Sequence, residues 1–317
     1  MGRLLPAMRP TYRDLTGKTA IVTGGNSGIG YGFALQLAEM GATVILACRN
    51  EKKATEARDL MLEACPSAKV ETLSLDTASL GSVKRFAQNW IHGPIDILAH
   101  NAGVSLVPDG KEMTEDGYEY EYQVNFLSSF LLTHLLERHF SKDARVIFTS
   151  SIGSYFGGIP HAFEVARVRG KIERGFHTAP HDPGNTAKYS QTKIMQVAFA
   201  KALQLHFDSQ SDCDRLAFSF EPGLVKSNLL QDLSTAPFDP PSWLLGMLQP
   251  LLGLDVQQGS ATGVRLATCD QPEVVLNKGR YFDRMWRRCH AVDAYSRNKL
   301  DRLWARWSAD CDISWYN

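Results

Sequence analysis

The chain has 317 residues, of which 44% are hydrophobic and 21% charged, so it is long enough for one or two globular domains. This composition excludes a disordered, collagen-like or disulfide-stapled protein. The 34 basic residues balance the 34 acidic ones, and this neutrality argues against a dedicated nucleic-acid binder.

Most of the sequence up to residue 220 alternates short β-branched runs with longer segments of helical period. This alternation is typical of a parallel sheet covered by helices on both faces. Strands are predicted at residues 19–23, 43–48, 70–75, 95–99, 145–149 and 216–220. Helices are predicted at residues 28–40, 51–64, 79–91, 118–140 and 186–206. We therefore expect an α/β protein with a doubly wound parallel sheet, whose ligands bind at the carboxyl ends of the strands.

Two segments lie outside this alternation. Residues 157–185 are rich in Gly, Pro and His, and residues 228–317 follow the last predicted strand. Long irregular insertions in a compact fold are usually functional. We expect a single Rossmann-type domain, 1–317, with an insertion at 157–185 and a helical, substrate-binding C-terminal extension at 228–317. Within the extension, residues 237–254 are rich in Trp and Leu. They could form a lid over a hydrophobic substrate, or else pack against another helix or form a dimer contact.

Cysteine usage and the N-terminus bear on the cellular compartment. The six cysteines have neither metal-ligand spacing nor the density of a secreted scaffold. No signal peptide is visible, and no stretch reaches the roughly 18 apolar residues of a membrane span. We therefore expect a cytoplasmic protein without a transmembrane span, and peripheral membrane contact stays open. No metal is expected, because His161, His177 and His181 lack ligand spacing on a regular element.

A glycine-rich turn connects the first predicted strand to the first predicted helix. It reads Thr23-Gly24-Gly25-Asn26-Ser27-Gly28-Ile29-Gly30. Glycines let the backbone turn tightly and approach a pyrophosphate, whose charge is favoured at a helix N-terminus. An ordinary strand-to-helix connection also uses glycines, so the turn alone does not decide the matter. Its Gly-x3-Gly-x-Gly spacing differs from the commonest dinucleotide fingerprint.

Three motifs in this order resemble those of the short-chain dehydrogenase/reductase family. They are the glycine turn, then Asn101-Ala102-Gly103 after the fourth predicted strand, then Tyr189 four residues before Lys193. Further along, Gly279-Arg280-Tyr281-Phe282 and Leu303-Trp304 resemble retinol-dehydrogenase-like members, so the resemblance covers most of the chain from about Lys18. One detail differs, since His100 stands where members often carry a first asparagine. The resemblance implies a Rossmann fold and an NAD(P)-dependent oxidoreductase.

The resemblance also implies a set of cofactor-binding residues. Arg49, at the end of the second predicted strand, favours NADP because a guanidinium pairs with the 2′-phosphate, although a solvated arginine is the ordinary interpretation and nearby Glu51 keeps NAD open. Asp76 resembles the family's adenine-contacting acid, and its type also suits a helix N-cap. The loop from Pro222 resembles the one that contacts the nicotinamide carboxamide. The full set is Gly24, Asn26, Ser27, Gly28, Ile29, Gly30, Arg49, Asp76, Asn101, Ala102, Gly103, Tyr189, Lys193, Pro222, Gly223, Val225 and Ser227.

Four residues are predicted to be catalytic: Ser151, Tyr189, Lys193 and Asn125. Tyr189 and Lys193 share one helix face, and a neighbouring ammonium favours the tyrosinate needed for proton exchange near neutral pH. The resemblance selects Ser151 over Ser150 as the donor to the substrate oxygen. It also implies that Asn125 holds a water leading to the lysine. Each residue also has an ordinary interpretation. Tyr189 and Lys193 could be an exposed pair, Ser151 a helix cap, and Asn125 a surface residue.

The expected function is NADP(H)-dependent reduction of a carbonyl, or oxidation of an alcohol, on a hydrophobic small molecule. Retinoids, steroids and polyketide-type natural products of secondary metabolism are the candidate substrates by resemblance, which makes a carbonyl reductase the leading interpretation. Two alternatives remain, because fold does not fix chemistry: a cofactor-dependent isomerase or cyclase, and a non-catalytic NADP-binding interaction protein. The resemblance also suggests a homodimer or homotetramer.

Overall fold

The computed structural model describes residues 8–105, 107, 112–156, 166–168, 171–173, 184–225 and 253–315. The strands are β1 Thr19–Thr23, β2 Thr43–Cys48, β3 Lys69–Ser74, β4 Ile95–His100, β5 Phe140–Thr149, β6 Ala166–Val168, β7 Lys171–Glu173, β8 Leu216–Glu221, β9 Tyr281–Asp283 and β10 Trp286–Arg288. The α-helices are α1 Gly28–Glu39, α2 Glu51–Ala64, α3 Leu80–Gln88, α4 Tyr120–Tyr122, α5 Ser128–Leu136, α6 Gly184–Asp208, α7 Val256–Thr268, α8 Pro272–Val275 and α9 Arg297–Asp310.

Eight strands form one sheet in the order β10-β9-β8-β5-β4-β1-β2-β3. All neighbours are parallel except β9 and β10, which form an antiparallel hairpin at the edge. β1 lies between β2 and β4, so the chain reverses its direction of winding between β3 and β4. This switch point lies at the carboxyl ends of β1 and β4, which is where a doubly wound sheet binds its ligand. The predicted Rossmann fold is confirmed.

Buried apolar side chains alternate between the two faces of the sheet. Ile21 and Ile45 lie in the core under α3, α5, α6 and α9, whereas Val22 and Val44 lie in the core under α1, α2 and α7. Successive strand residues point to opposite faces, so continuous apolar strands are needed to fill both cores. This explains why the central strands could be recognised in the sequence as short segments rich in apolar residues.

The long helix predicted at residues 118–140 is wrong as a single element. The chain forms the short α4, then a π-helical turn at Gln123–Leu127, then α5, and a 3-10 turn at Glu137–His139. Phe140 does not end a helix but begins β5, where it pairs with Ile95 next to a register shift. Helical periodicity did not reveal the π-turn, because a single turn of i→i+5 hydrogen bonds is too short to show a period of its own.

The described part of the C-terminal extension, residues 253–315, is not purely helical as predicted, because it adds β9 and β10 to the edge of the sheet as well as α7, α8 and α9. Strands of three residues are too short to show a period in the sequence. β9 pairs with β8, with Ser219 opposite Tyr281. Helix α7 packs against α1, and α9 buries Trp304 and Trp307. The hairpin at β6 and β7 lies inside the predicted insertion. Most of residues 237–254, the suggested lid, fall outside the described residues.

Candidate active site

The glycine turn lies between the end of β1 and the start of α1. Gly24 and Gly28 have φ values of 64° and 53°, which L side chains rarely adopt. A Cβ on Gly30 would lie 2.4 Å from Asn101 Nδ2 and from the carbonyl oxygen of Gly24. The turn therefore needs glycine for its backbone angles at two positions and for close packing at a third. Asn26, Ser27 and Ile29 lie in this turn as predicted, and the Ser27 side chain makes no capping hydrogen bond.

Thr23 and Asn101 tie the ends of β1 and β4 together. The Thr23 hydroxyl oxygen accepts hydrogen bonds from the backbone N–H groups of Asn101 and Ala102, both at 3.0 Å. Asn101 Nδ2 donates to the carbonyl oxygen of Thr23 at 3.3 Å. Predicted residues Asn101, Ala102 and Gly103 thus line the switch point beside the glycine turn. Thr23 was missed, although it stands within the motif, because its role depends on a strand distant in sequence.

Arg49 follows β2 and is held by a residue of α4. Its Nη1 donates a hydrogen bond to the hydroxyl oxygen of the buried Tyr120 at 3.1 Å. Asp76 lies near enough to act electrostatically on Arg49. Asp76 is not the N-cap of α3, because Ser79 occupies that position, and Asp76 Oδ1 instead accepts from the Ala78 N–H at 2.9 Å. The guanidinium is therefore oriented at the cofactor end of the sheet.

Ser151 and Ser150 follow β5 but have different environments. Ser150 is buried, and its hydroxyl donates to the carbonyl oxygen of Lys193 at 2.9 Å. Ser151 caps the 3-10 turn at Ile152–Tyr155, and its hydroxyl accepts from the Gly153 N–H at 3.2 Å. The Ser151 side chain also hydrogen-bonds to Tyr189. The hydroxyl of Ser150 is thus engaged within the protein, whereas that of Ser151 lies beside the predicted tyrosine.

Tyr189 lies near the start of α6 among groups that resist its ionisation. Burial raises the pKa of Tyr189 above its usual range, and the carboxyls of Glu121 and Glu221 raise it further. The hydrogen bond from Ser151 opposes that increase. The ammonium of Lys193 lies 5.3 Å from the centre of the Tyr189 ring, one helical turn away. The structure therefore brings Ser151, Tyr189 and Lys193 together.

Lys193 is almost completely buried and is anchored by oxygen atoms. Its Nζ donates to the carbonyl oxygen of Thr149 at 2.9 Å and to Gln196 Oε1 at 3.3 Å. Burial lowers the pKa of Lys193 to about 8, and the carboxyl of Glu121 opposes that decrease. The ammonium is therefore fixed in position and gives up its proton more readily than an exposed lysine.

Asn125 lies in the π-helical turn and contacts the lysine end of the site through its backbone. Its side chain binds Val104, with Oδ1 accepting from the Val104 N–H at 2.7 Å and Nδ2 donating to the Val104 carbonyl at 2.8 Å. Its own carbonyl oxygen accepts from Gln196 Nε2 at 2.7 Å. Gln196 thus bridges the backbone of Asn125 to Lys193, and sequence reasoning had not singled it out.

Sequence and structure comparisons connect this site to known proteins. The profile of the family described as short chain dehydrogenase matches residues 18–162. Retinol dehydrogenase 13 from Homo sapiens is 33% identical over 302 residues, which is 93% of this chain and 85% of that protein. The chain belongs to the short-chain dehydrogenase/reductase family. The predicted likeness to retinol-dehydrogenase-like members is thereby confirmed.

Two further similarities agree with this membership. WW domain-containing oxidoreductase from Homo sapiens is 33% identical over 303 residues, which is 92% of this chain and 68% of that protein. The crystal structure of an uncharacterized protein from Mycobacterium paratuberculosis has a TM-score of 0.69 at 24% identity and covers 96% of this chain and 97% of its own. The latter similarity shows the shared fold.

Short-chain dehydrogenases are oxidoreductases that use NAD or NADP, and the residues present here fit such a dinucleotide. The positive φ angles at Gly24 and Gly28 open the backbone at the N-terminus of α1, where a pyrophosphate is favoured. A Cβ on Gly30 would collide with neighbouring atoms, so this position of the turn requires a glycine. Arg49 provides a cation at the end of β2.

The loop after β8 extends the site on the side of β5. Gly223 has a φ of 78°, and Val225 is buried against α7, where a Cβ on Gly259 would lie 2.4 Å from Val225 Cγ2. Pro222 precedes them, and the predicted Ser227 lies outside the described residues. The insertion histidines His161, His177 and His181 also lie outside them.

Two acidic residues near Tyr189 were missed by sequence reasoning. Glu121 is completely buried, and burial raises its pKa to about 8. Glu221 ends β8, its Oε2 accepts from the Tyr281 hydroxyl at 3.3 Å, and burial raises its pKa to about 7. The one available signal was that Glu121 stands one helical turn before Asn125. Nothing in the sequence showed that either carboxyl would be buried.

Neither a metal-binding cluster nor a membrane-spanning helix occurs among the described residues. No group of three or more His, Cys, Asp or Glu side chains in the described ranges could hold a metal ion. In the same ranges, none of the helices combines the length and apolar character needed to span a bilayer.

Proposed function

We propose that this protein is an NADP(H)-dependent oxidoreductase that interconverts a carbonyl and an alcohol on a hydrophobic small molecule. The observation that carries the proposal is the hydrogen bond between Ser151, which follows β5, and Tyr189, whose ring centre lies 5.3 Å from the Lys193 ammonium. This arrangement combines a proton donor, a second hydrogen-bond donor and a fixed cation around one position.

The residues divide the work of carbonyl reduction between them. The nicotinamide, when bound, supplies the hydride. Ser151 and Tyr189 donate hydrogen bonds to the carbonyl oxygen, where negative charge develops, and Tyr189 then gives up its proton. The ammonium of Lys193 favours the tyrosinate that remains. In the oxidative direction Tyr189 takes the proton of the alcohol, so the same residues serve both directions.

Apolar side chains beside Ser151 support a hydrophobic substrate. Ile152, Tyr155 and Phe156 directly follow Ser151, and they are 56%, 43% and 82% exposed. Large exposed apolar side chains next to a reactive group are typical of a site that buries an apolar ligand. We propose retinoids, steroids or polyketide-type ketones and aldehydes as the classes to test first.

The preference for NADP is proposed from Arg49. Its guanidinium is held by Tyr120, stands at the end of β2, and has the donor geometry that suits a 2′-phosphate. Glu51, the nearest acid in sequence, begins α2 and provides no such pairing with a phosphate.

The decisive experiment replaces the proposed proton donor. Purified protein is assayed for NADPH oxidation with a panel of apolar ketones and aldehydes, and the Tyr189→Phe variant is assayed beside it. We expect the variant to lose at least about 100-fold in kcat, since general acid catalysis contributes on this order, while its Kd for NADPH stays within a few-fold. NADPH binding is measured by fluorescence.

A matched control is Tyr12→Phe, which removes the hydroxyl of an exposed tyrosine in the segment before β1. It should retain most of the kcat. Unchanged turnover in Tyr189→Phe would remove Tyr189 from its proposed role. Product formation with no net NADPH consumption would favour a non-redox isomerase or cyclase. NADPH binding without turnover of any substrate would favour a binding protein.

A further inference from the structure

Glu121 is the one completely buried carboxylic acid close to Tyr189 and Lys193 in the described part of the chain. Its side chain has no exposed surface, and neither Oε1 nor Oε2 has a hydrogen-bond partner among the described residues. An isolated buried carboxylate costs several kcal/mol, so proteins rarely keep one without a reason. Unpartnered buried polar atoms next to a reactive site therefore call for a functional explanation.

The position of Glu121 in the fold connects it to the reactive residues. It lies in α4, one helical turn before Asn125, and α4 packs against α6, which carries Tyr189 and Lys193. The charge of Glu121 acts on both of them: it raises the pKa of Tyr189 and the pKa of Lys193. The carboxyl of Glu121 therefore influences the ionisation of both Tyr189 and Lys193.

The other charged groups around Glu121 come from three elements. Helix α6 contributes Lys188 and Lys193, both of which favour the ionised carboxylate, and Glu119 at the N-cap of α4 disfavours it. Charged groups also contact the two chain neighbours of Glu121. Arg49 donates a hydrogen bond to Tyr120, and Asp310 of α9 accepts one from Tyr122 at 2.8 Å. Burial outweighs the two lysines, so the acid keeps its proton at neutral pH.

We propose that Glu121 is a positioning residue of the active site, which acts through Tyr189 and Lys193 and whose charge state sets the pH range of their proton exchange with substrate. A neutral Glu121 removes one of the charges that oppose ionisation of Tyr189. An ionised Glu121 draws the proton back towards Tyr189 and Lys193 by electrostatic attraction. The three groups therefore titrate as a coupled set. This inference rests on the proposed function, since it concerns the same tyrosine and lysine.

The test measures the titration of Tyr189 directly. Tyrosinate absorbance is recorded against pH with saturating NADP⁺ and again without it, and the Tyr189→Phe background is subtracted. Tyr189 ionises above the pH at which Glu121 becomes charged, so in Glu121→Gln we expect the midpoint of Tyr189 to fall by about half a pH unit or more, because the negative charge that opposes the tyrosinate is removed. The acid limb of kcat/KM for alcohol oxidation should move in the same direction. An unchanged midpoint in a folded variant overturns the proposal.

Glu119→Gln is the matched control. Glu119 is partly exposed and accepts hydrogen bonds from the backbone N–H groups of Glu121 and Tyr122, and a glutamine keeps one accepting oxygen. Its effect on the midpoint should be clearly smaller, and an equal shift in both variants would overturn a specific role for Glu121. If Glu121→Gln does not fold, Glu121→Met removes the same charge without a buried polar atom, and the same shift is expected.

The outcomes for the two proposals are separable. The absorbance titration needs no substrate, so it reports on Glu121 even if no compound in the panel is turned over. Absence of NADPH-dependent activity would count against the proposed function alone. NADPH-dependent activity together with a Tyr189 midpoint that does not change in Glu121→Gln would count against the present inference alone.

Discussion

At the scale of single residues, the proposed preference for NADP depends on how Arg49 is held. Its Nη1 is bound by the Tyr120 hydroxyl, and Tyr120 is itself buried in α4. Fixing a guanidinium in advance reduces the entropy lost when it binds an anion. Arg49 thus combines position, charge and reduced freedom at the end of β2.

We predict that Arg49→Ala weakens NADPH binding by about 10- to 100-fold, which corresponds to the roughly 1.5–3 kcal/mol of a hydrogen bond to a charged group. NADH has no 2′-phosphate, so its Kd should change much less. Both constants can be measured by fluorescence titration. Arg58→Ala is the control, because Arg58 lies on α2 and pairs with the exposed Asp59. An equal loss for NADPH and NADH would contradict the assignment of Arg49 to the phosphate.

At the scale of elements, α1 and α7 approach each other so closely that glycines are required between them. A Cβ on Gly32 would lie 2.4 Å from the carbonyl oxygen of Val256. A Cβ on Gly263 would lie 2.6 Å from a ring carbon of Phe33 and 2.7 Å from ring carbons of Phe220. This contact places α1, whose N-terminus forms the glycine turn, against the C-terminal part of the chain.

We predict that Gly263→Ala destabilises the protein by about 1–3 kcal/mol, because two buried aromatic rings must move to admit the methyl group. Thermal or urea unfolding would measure the change. Gly81→Ala in α3 is the matched control, since the nearest atom to its Cβ is Arg85 Nη1 at 3.4 Å. That variant should be neutral or more stable by about 0.5–1 kcal/mol from helix propensity. Equal stability of the two variants would contradict the close packing.

At the scale of the whole molecule, Glu121 connects the active site to global stability. Burial raises its pKa from 4.5 to about 8 in the folded protein. Between these two pH values the folded state keeps a proton that the unfolded chain releases. The contribution of this group to stability is therefore fully present below pH 4.5 and is lost as pH rises towards 8.

We predict that the melting temperature of Glu121→Gln, relative to the unaltered protein, rises as pH increases from about 5 to about 8 and then levels off. Scanning calorimetry at several pH values would follow this difference. Glu56→Gln, which alters an exposed glutamate on α2, should show a flat difference over the same range. A flat difference for Glu121→Gln as well would mean that its carboxyl is not buried as described.

The parallel core of the sheet could be predicted because both of its faces are covered. The central residues of strands such as β1 and β4 are buried and apolar, and the turn motifs stand at their carboxyl ends, so the doubly wound architecture and a ligand site at that edge could be predicted together. Local patterns did not reveal the π-turn at Gln123–Leu127 or the early start of β5 at Phe140. Gln196 and Glu121 were missed for a different reason. Their environments are formed by residues of other elements, so the local sequence around a polar side chain does not predict that it is buried.

The aromatic cluster under α9 gives the molecule an internal optical reporter. Trp304, Trp307 and Trp315 meet Phe130 and Phe199, with ring centres from 4.4 to 6.1 Å apart, whereas Trp286 on the edge hairpin is 62% exposed. A small aqueous quencher would reach the indole of Trp286 and would leave the fluorescence of Trp304, Trp307 and Trp315 largely unquenched. Detachment of the final helix from α5 and α6 would therefore register as a red shift in emission, separately from any event at the nicotinamide end.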